Sequence, residues 1–131
     1  MYIPAASAIK RFLLFLLITA SASALAAETQ QVYTVTAYCH CAKCCGTAGQ
    51  PAASGRMPAV GVTVAGPRSL PFGTRLRIEG LGERIVQDRP PKRFDDRLDV
   101  FMADHESALK FGVRKLKVTF WDKAENRKQK I

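Results

Sequence analysis

The sequence has no cysteine outside one short run, no internal repeat and no linker. All four cysteines lie within Cys39–Cys45, whereas a four-thiolate zinc site usually draws its ligands from two separate pairs. The apolar run Phe12–Ala20 is too short to span a bilayer comfortably. The 131 residues suit a single domain. These features argue against a repeat protein, a multidomain chain and stable insertion in a membrane.

Acidic residues are scarce relative to basic ones. The chain has 20 Lys and Arg against 11 Asp and Glu, a formal net charge of +9, or +7 without Lys10 and Arg11. A basic protein is attracted to anionic surfaces such as cell-wall polymers. Basic and aromatic residues are not interleaved as they are in proteins that bind single strands, so we expect no nucleic acid partner.

The amino terminus has the order of a secretory signal. Lys10 and Arg11 precede the apolar run, and Ala24–Ala26 supplies small residues for cleavage. We therefore predict a signal peptide at residues 1–26, a folded domain at residues 27–122 and a basic tail at residues 123–131. A retained amino-terminal anchor is the alternative.

The rest of the chain has short runs rich in β-branched and aromatic residues, separated by glycine turns, which predict strands. We expect six strands, at Val32–Tyr38, Val60–Ala65, Arg75–Glu79, Glu83–Asp88, Arg97–Phe101 and Leu116–Trp121. One short helix should start after Asp104 as N-cap and end at Gly112. This pattern predicts an all-β fold, a small barrel or a sandwich.

Two of the predicted strands carry an aspartate. Asp88 ends one strand, and Asp99 lies inside another between Leu98 and Val100. Aspartate is depleted in strands, because its charge must stay solvated or paired. One interpretation is a pair of carboxylates facing one cleft. The other is that Asp99 pairs with Arg97 or Arg84 on an exposed face.

The cysteine run Cys39, Cys41, Cys44 and Cys45 allows three full disulfide pairings. Because export favours oxidation, we predict disulfides and no bound metal. A zinc site, which His40 could join, and free thiols are the alternatives.

Several motifs resemble, in their order and spacing, the 3D domain, a family named for three aspartates. They are Thr36–Cys39, Ala53–Gly55, Gly61–Ala65, Leu70–Thr74, Asp88, Leu98–Phe101 and His105–Gly112. The family includes the catalytic domain of membrane-bound lytic transglycosylase A. The resemblance implies a six-stranded double-psi β-barrel, related to expansins and rare lipoprotein A.

The resemblance also implies a function. It suggests a bacterial protein, secreted or in the cell envelope, that cleaves the bond between N-acetylmuramic acid and N-acetylglucosamine in peptidoglycan without water. Asp99 would act as general acid and then base, and Asp88 would tune it. Tyr38, Ser54 and Arg97 are the candidate substrate-binding residues. We expect a monomer that needs no cofactor.

The sequence departs from the family pattern at three places. Gly66 stands where the first of the three aspartates is expected, Ala52 replaces a threonine, and Pro90-Pro91 replaces a glycine pair. We expect Gly66→Asp to be tolerated, because a short polar side chain suits a turn before Pro67. The alternative function is a module that binds peptidoglycan glycans and cuts nothing, and a third is a small structural or inhibitory protein.

Overall fold

The computed structural model describes residues 28–46 and 48–121. The predicted signal peptide and the predicted basic tail lie outside these residues. The described part forms six strands: β1 (Thr29–Tyr38), β2 (Thr63–Ala65), β3 (Arg75–Ile78), β4 (Gly82–Asp88), β5 (Leu98–Phe101) and β6 (Arg114–Phe120). It also forms a four-residue helical turn, α1 (Ala42–Cys45), a 3-10 turn (Lys92–Phe94) and a helix, α2 (His105–Phe111).

The six strands close into a barrel in the order β1-β5-β2-β4-β3-β6. The pairs β1–β5 and β2–β4 are parallel, whereas β1–β6, β2–β5, β3–β4 and β3–β6 are antiparallel. Closure leaves no free sheet edge among these strands. The predicted all-β fold, a small six-stranded barrel with one short helix, is confirmed.

The core is filled by alternate strand residues, as the two-residue period of a strand requires, together with one aromatic ring from α2. These side chains are nearly all fully buried: Val35, Val64, Leu76, Ile78, Val86, Leu98, Val100, Phe111 and Val118. The residues between them therefore lie on the outer face. Asp99, between Leu98 and Val100, is one of these outer residues.

A bulge interrupts the pairing of β2 with β4. Val64 pairs with Val86, but the next residue, Ala65, pairs with Asp88, so Gln87 is an extra residue on β4. Without this shift Gln87 would lie opposite Ala65, and Asp88 would point to the core side. Bulges commonly re-aim side chains in this way. The bulge places Asp88 on the outer face, beside Ala65.

The helix α2 begins where the sequence predicts. Asp104 accepts a hydrogen bond from the backbone N–H of Ser107 at 2.8 Å, which caps the first turn. Gly112 ends the helix with a φ of 65°, a value that suits glycine. No helix in residues 28–46 and 48–121 is long and apolar enough to cross a bilayer.

Gly66 lies in a tighter place than the sequence suggests. It is buried, and a Cβ atom there would come within 3.2 Å of both methyl groups of Val86 and within 3.6 Å of Leu98. Its φ is not in the left-handed region, so the constraint is space and burial rather than backbone conformation. The expectation that Gly66→Asp is tolerated is therefore at odds with the structure, because the carboxylate would point into an apolar wall.

We predict that Gly66→Asp lowers the free energy of unfolding by about 2 kcal/mol or more, through overpacking and an unpaired buried charge. Gly66→Ala is the matched control, since it adds the methyl group without the charge and should cost less. Chemical denaturation of both variants measures the difference. An aspartate variant as stable as the parent protein would contradict this account of the position.

Candidate active site

Asp88 is held at the end of β4 by three donors. The hydroxyl of Tyr38 donates to Oδ2 at 2.7 Å, and the backbone N–H groups of Ala53 and Arg89 donate to Oδ1 at 2.9 and 2.8 Å. Tyr38 comes from the end of β1, and Ala53 from the loop before β2. The carboxylate is therefore fixed where three separate segments of the chain meet.

Asp99 lies two strands away on the same face. Ala65 pairs with Asp99 on one side and with Asp88 on the other, so the two aspartates flank Ala65 across β2. Two strand spacings correspond to roughly 10 Å between their Cα atoms. On its other side Asp99 pairs with Thr36, whose hydroxyl donates to Oδ1 at 3.1 Å. This arrangement brings together the two predicted catalytic residues.

The surroundings of Asp99 favour its protonated form. Burial raises the pKa of its carboxyl from 3.8 to about 6, and the negative charge of Asp88 adds to the rise. The hydrogen bond from Thr36 and the charge of Arg97 act in the opposite direction, and burial outweighs both. Asp99 can therefore hold a proton near neutral pH while remaining acidic enough to donate it.

The structure does not support the alternative in which Asp99 forms an ion pair with Arg97 or Arg84. Among the described residues no basic nitrogen lies within ion-pair distance of Asp99. Arg84 instead donates to the backbone carbonyls of Leu81 and Glu83. Arg97 lies with its guanidinium over the ring of Phe94, 3.7 Å from the centroid.

Tyr38 contacts an acid rather than standing free at the strand end. Burial, followed by the hydrogen bond to Asp88, raises the pKa of the Tyr38 hydroxyl, so it remains a donor. Its ring packs edge-on against Phe101, with 5.3 Å between centroids. Tyr38 thus positions Asp88, whereas its predicted contact with substrate stays a prediction.

The two other predicted substrate-binding residues each carry an unpartnered polar atom. Ser54 Oγ and Arg97 Nε are buried and form no hydrogen bond within the described part of the chain. Buried polar atoms are nearly always bonded to protein, water or a ligand. Ser54 lies next to the site, because its neighbour Ala53 bonds Asp88 and its own N–H donates to the carbonyl of Gln87.

An open groove of about 880 Å³ begins at Ser54 and Gln87. Four aromatic side chains line it, together with Arg56 and Arg75: Tyr33, Phe72, Phe120 and Trp121. Aromatic faces with polar groups between them are typical of ligand sites. Ser54 and Gln87 are the chain neighbours of Ala53 and Asp88, but neither Asp88 nor Asp99 lines the groove itself.

Sequence reasoning missed several residues of the site. Thr36 lies in the motif Thr36–Cys39, but the motif does not indicate that its hydroxyl donates to Asp99. The side chain of Gln87, the extra residue in the bulge, accepts a hydrogen bond from Thr63 at 2.7 Å. A bulge gives no composition signal, so these contacts could not be read from the chain.

The cysteine run forms a compact cluster that includes a distant histidine. The Sγ atoms of Cys39, Cys41 and Cys44 and a ring nitrogen of His105 all lie within 4.8 Å of one another. All four cysteines are free, and the Sγ atom of Cys39 lies 3.1 Å from that of Cys41 and 3.4 Å from that of Cys44. A disulfide needs about 2.05 Å, so the structure lacks the predicted disulfides. Sequence reasoning offered His40 as a metal ligand and missed His105.

Cys45 stands apart from the cluster. It is exposed, and its thiol donates to the backbone carbonyl of Cys39 at 3.1 Å. Burial raises the pKa of this thiol, and the charges of Cys44, Asp88 and Asp99 contribute. Cys45 is therefore not one of the four residues whose ligand atoms converge.

Comparison with known proteins gives one distant relationship. No family model matches the chain. A protein of Bacillus subtilis (strain 168) named "Putative cell wall shaping protein YabE" is 28% identical over 94 residues. The match covers 70% of this chain and 23% of that protein, so the chain spans about a quarter of the relative's length. The chain is thus a small all-β barrel with two aspartates on one outer face and a distant similarity to a cell-wall protein.

The raised pKa of Asp99 predicts a pH dependence of stability. Its contribution to folding is fully present below the unfolded value of 3.8 and is lost as the pH rises through about 6. The loss is at most about 3 kcal/mol, since one pKa unit corresponds to ~1.36 kcal/mol. Asp99→Asn, which cannot ionise, should therefore gain stability relative to the parent protein between pH 4 and pH 7.

Denaturation at a series of pH values measures this change. Asp96→Asn, which removes the same charge from an exposed loop, is the control. A constant difference between Asp99→Asn and the parent protein across this range would show that the carboxyl is not destabilised by burial.

Proposed function

We propose that this chain is an exported protein of the bacterial cell envelope that acts on peptidoglycan as a lytic transglycosylase. The observation that carries the proposal is the half-buried carboxyl of Asp99, on the same face as the carboxylate of Asp88. This enclosure raises the pKa of Asp99 to about 6. The resemblance of the chain to the 3D domain and the cell-wall name of the distant relative support the substrate class. The basic charge suits an anionic wall.

The proposed reaction needs one group that serves first as acid and then as base. Asp99 donates its proton to the oxygen between the two sugars as that C–O bond breaks. The 6-hydroxyl of the same muramic acid residue then attacks the anomeric carbon, and Asp99 takes the hydroxyl proton. The proton count is unchanged, no water is consumed, and the product is a 1,6-anhydro sugar. No metal or cofactor takes part.

The site fits this chemistry better than it fits ordinary hydrolysis. Hydrolytic glycosidases use two carboxyls, about 5–5.5 Å apart in retaining enzymes and about 6.5–9.5 Å apart in inverting ones, and the second attacks the sugar or activates water. Here Asp88 already accepts hydrogen bonds from Tyr38, Ala53 and Arg89. Because its oxygens are engaged in this way, Asp88 is suited to hold a negative charge near Asp99. That charge raises the pKa of Asp99 and so favours its protonated form. We therefore assign Asp88 a positioning and tuning role.

Substrate contacts would come from the groove and from groups that lack a partner. Arg97 lies close enough to Asp99 to lower its pKa. Ser54 Oγ and Arg97 Nε have unused hydrogen-bonding capacity but are buried, so they could bond a substrate only after a side-chain rotation exposes them. A glycan strand could lie along the aromatic groove and reach the aspartates past Ser54. Arginine side chains already lie over one side of two groove rings, Arg89 over Phe72 and Arg77 over Trp121, so a sugar ring would have to use the other faces or displace these arginines.

A specific feature favours a second candidate, a glycan-binding module without activity. Gly66 has no carboxylate, and the room around it is taken up by Val86 and Leu98. If the active site of the related family needs three carboxylates, this chain lacks the one at the position of Gly66. The same groove could then hold glycan strands without cleaving them.

We predict that Asp99→Asn lowers the release of anhydro-muropeptides from purified sacculi by about a hundredfold or more, since general acid–base catalysis contributes ~10²–10⁴. The amide keeps the shape and can still accept from Thr36, so the fold and sacculus binding should persist. Asp88→Asn should reduce the rate less. Asp96→Asn, on an exposed loop, should leave it unchanged.

Mass spectrometry of the released products and a pull-down on sacculi together separate the candidates. Sacculus binding without anhydro products from the parent protein would favour the binding module. A folded Asp99→Asn protein with full activity would end the catalytic assignment of Asp99.

A further inference from the structure

We propose that Cys39, Cys41, Cys44 and His105 form a structural zinc site, which is independent of the proposed function. Three thiols and one imidazole converge here, and their ligand atoms lie within 4.8 Å of one another. Sets of three cysteines and one histidine are a common tetrahedral zinc environment. Cys39 is buried, and Cys41, Cys44 and His105 are half-buried.

The distances between ligand atoms fit a shared metal better than they fit disulfides. Cys39 Sγ lies 3.1 Å from Cys41 Sγ and 3.4 Å from Cys44 Sγ. His105 Nδ1 lies 3.6 Å from Cys41 Sγ and 3.3 Å from Cys44 Sγ. Zinc–sulfur bonds of about 2.3 Å set tetrahedral sulfur atoms roughly 3.8 Å apart. The two sulfur–sulfur distances are therefore about 0.7 and 0.4 Å shorter than in a tetrahedral zinc site, and the sulfur atoms would move apart by these amounts around a metal.

The short α1 turn brings the cysteines of the run together. The backbone N–H groups of Cys44 and Cys45 donate to the carbonyl of Cys41 at 3.2 and 3.0 Å, and that of Gly46 donates to the carbonyl of Ala42 at 2.8 Å. The turn therefore folds the chain back between Cys41 and Cys44, so that both thiols lie near Cys39 and His105.

The site would tie together two parts of the barrel that are far apart in sequence. Cys39 directly follows Tyr38, the residue that donates to Asp88. His105 begins α2, which follows the strand that contains Asp99. With four protein ligands the metal has no open position for water, so its role is to fix structure rather than to catalyse. It would hold the end of β1 and the start of α2 beside the two aspartates.

Cys45 provides a matched control within the same run. Its thiol bonds a backbone carbonyl and it is not part of the four-residue cluster. If zinc bound nonspecifically to any thiol of this run, removal of Cys45 would weaken binding. If zinc binds at the four-residue cluster, removal of Cys45 should leave binding unchanged.

The test is zinc titration of the reduced full chain, with the bound metal measured after removal of free zinc. We expect about one zinc ion per chain, with release of the thiol protons. Cobalt added in place of zinc should give the intense charge-transfer absorption of thiolate ligands. Cys41→Ser and His105→Ala should each weaken binding by at least about a hundredfold, since changes to the surrounding layer alone cost up to that much. Cys45→Ser should bind as the parent does.

Circular dichroism shows whether each variant is folded. If a ligand variant does not fold, the cobalt spectra of the parent chain and of Cys45→Ser still test the proposal, because neither of them removes a proposed ligand. Three outcomes would overturn the proposal: a folded, reduced parent chain that binds no zinc, equal loss of zinc in Cys45→Ser, or exported protein in which Cys39, Cys41 or Cys44 is in a disulfide.

Discussion

The electrostatic conflict between Asp99 and its surroundings is the constraint on which this site depends. The carboxyl lies on the outer face of a strand, yet it is sufficiently enclosed that burial raises its pKa to about 6. The charge of Asp88 acts in the same direction, and its position depends on hydrogen bonds from two distant segments, at Tyr38 and Ala53, and from the neighbouring Arg89. The barrel thus keeps the Asp99 carboxyl protonated at pH values where an exposed aspartate would be ionised.

The strands and α2 could be predicted because their signals are local. Alternating apolar residues fill the interior, and the cap at Asp104 and the glycine at Gly112 bound the helix. The two aspartates could be predicted as a pair, because each is exceptional in a strand. The resemblance to the 3D domain suggested a chemical role for each aspartate. The strand pattern alone could not suggest these roles.

The remaining parts of the site depend on contacts distant in sequence. The bulge that turns Asp88 to the outer face depends on how β2 and β4 pair, and Gln87 carries no local sign of it. His105 joins the cysteines only because α2 begins beside the end of β1. The space at Gly66 is set by Val86 and Leu98, which the sequence does not place nearby. In each case closure of the barrel, rather than local preference, determines the neighbour.

The most direct measurement of the central claim is the titration of the Asp99 carboxyl itself. Carbon-13 NMR of the side-chain carboxyl groups, assigned by comparison with Asp99→Asn, follows its ionisation as the pH changes. The account predicts a midpoint near 6 for Asp99. It also predicts a lower midpoint in Asp88→Asn, because the neighbouring negative charge is then absent. A midpoint near the ordinary value of about 3.8 would contradict the account.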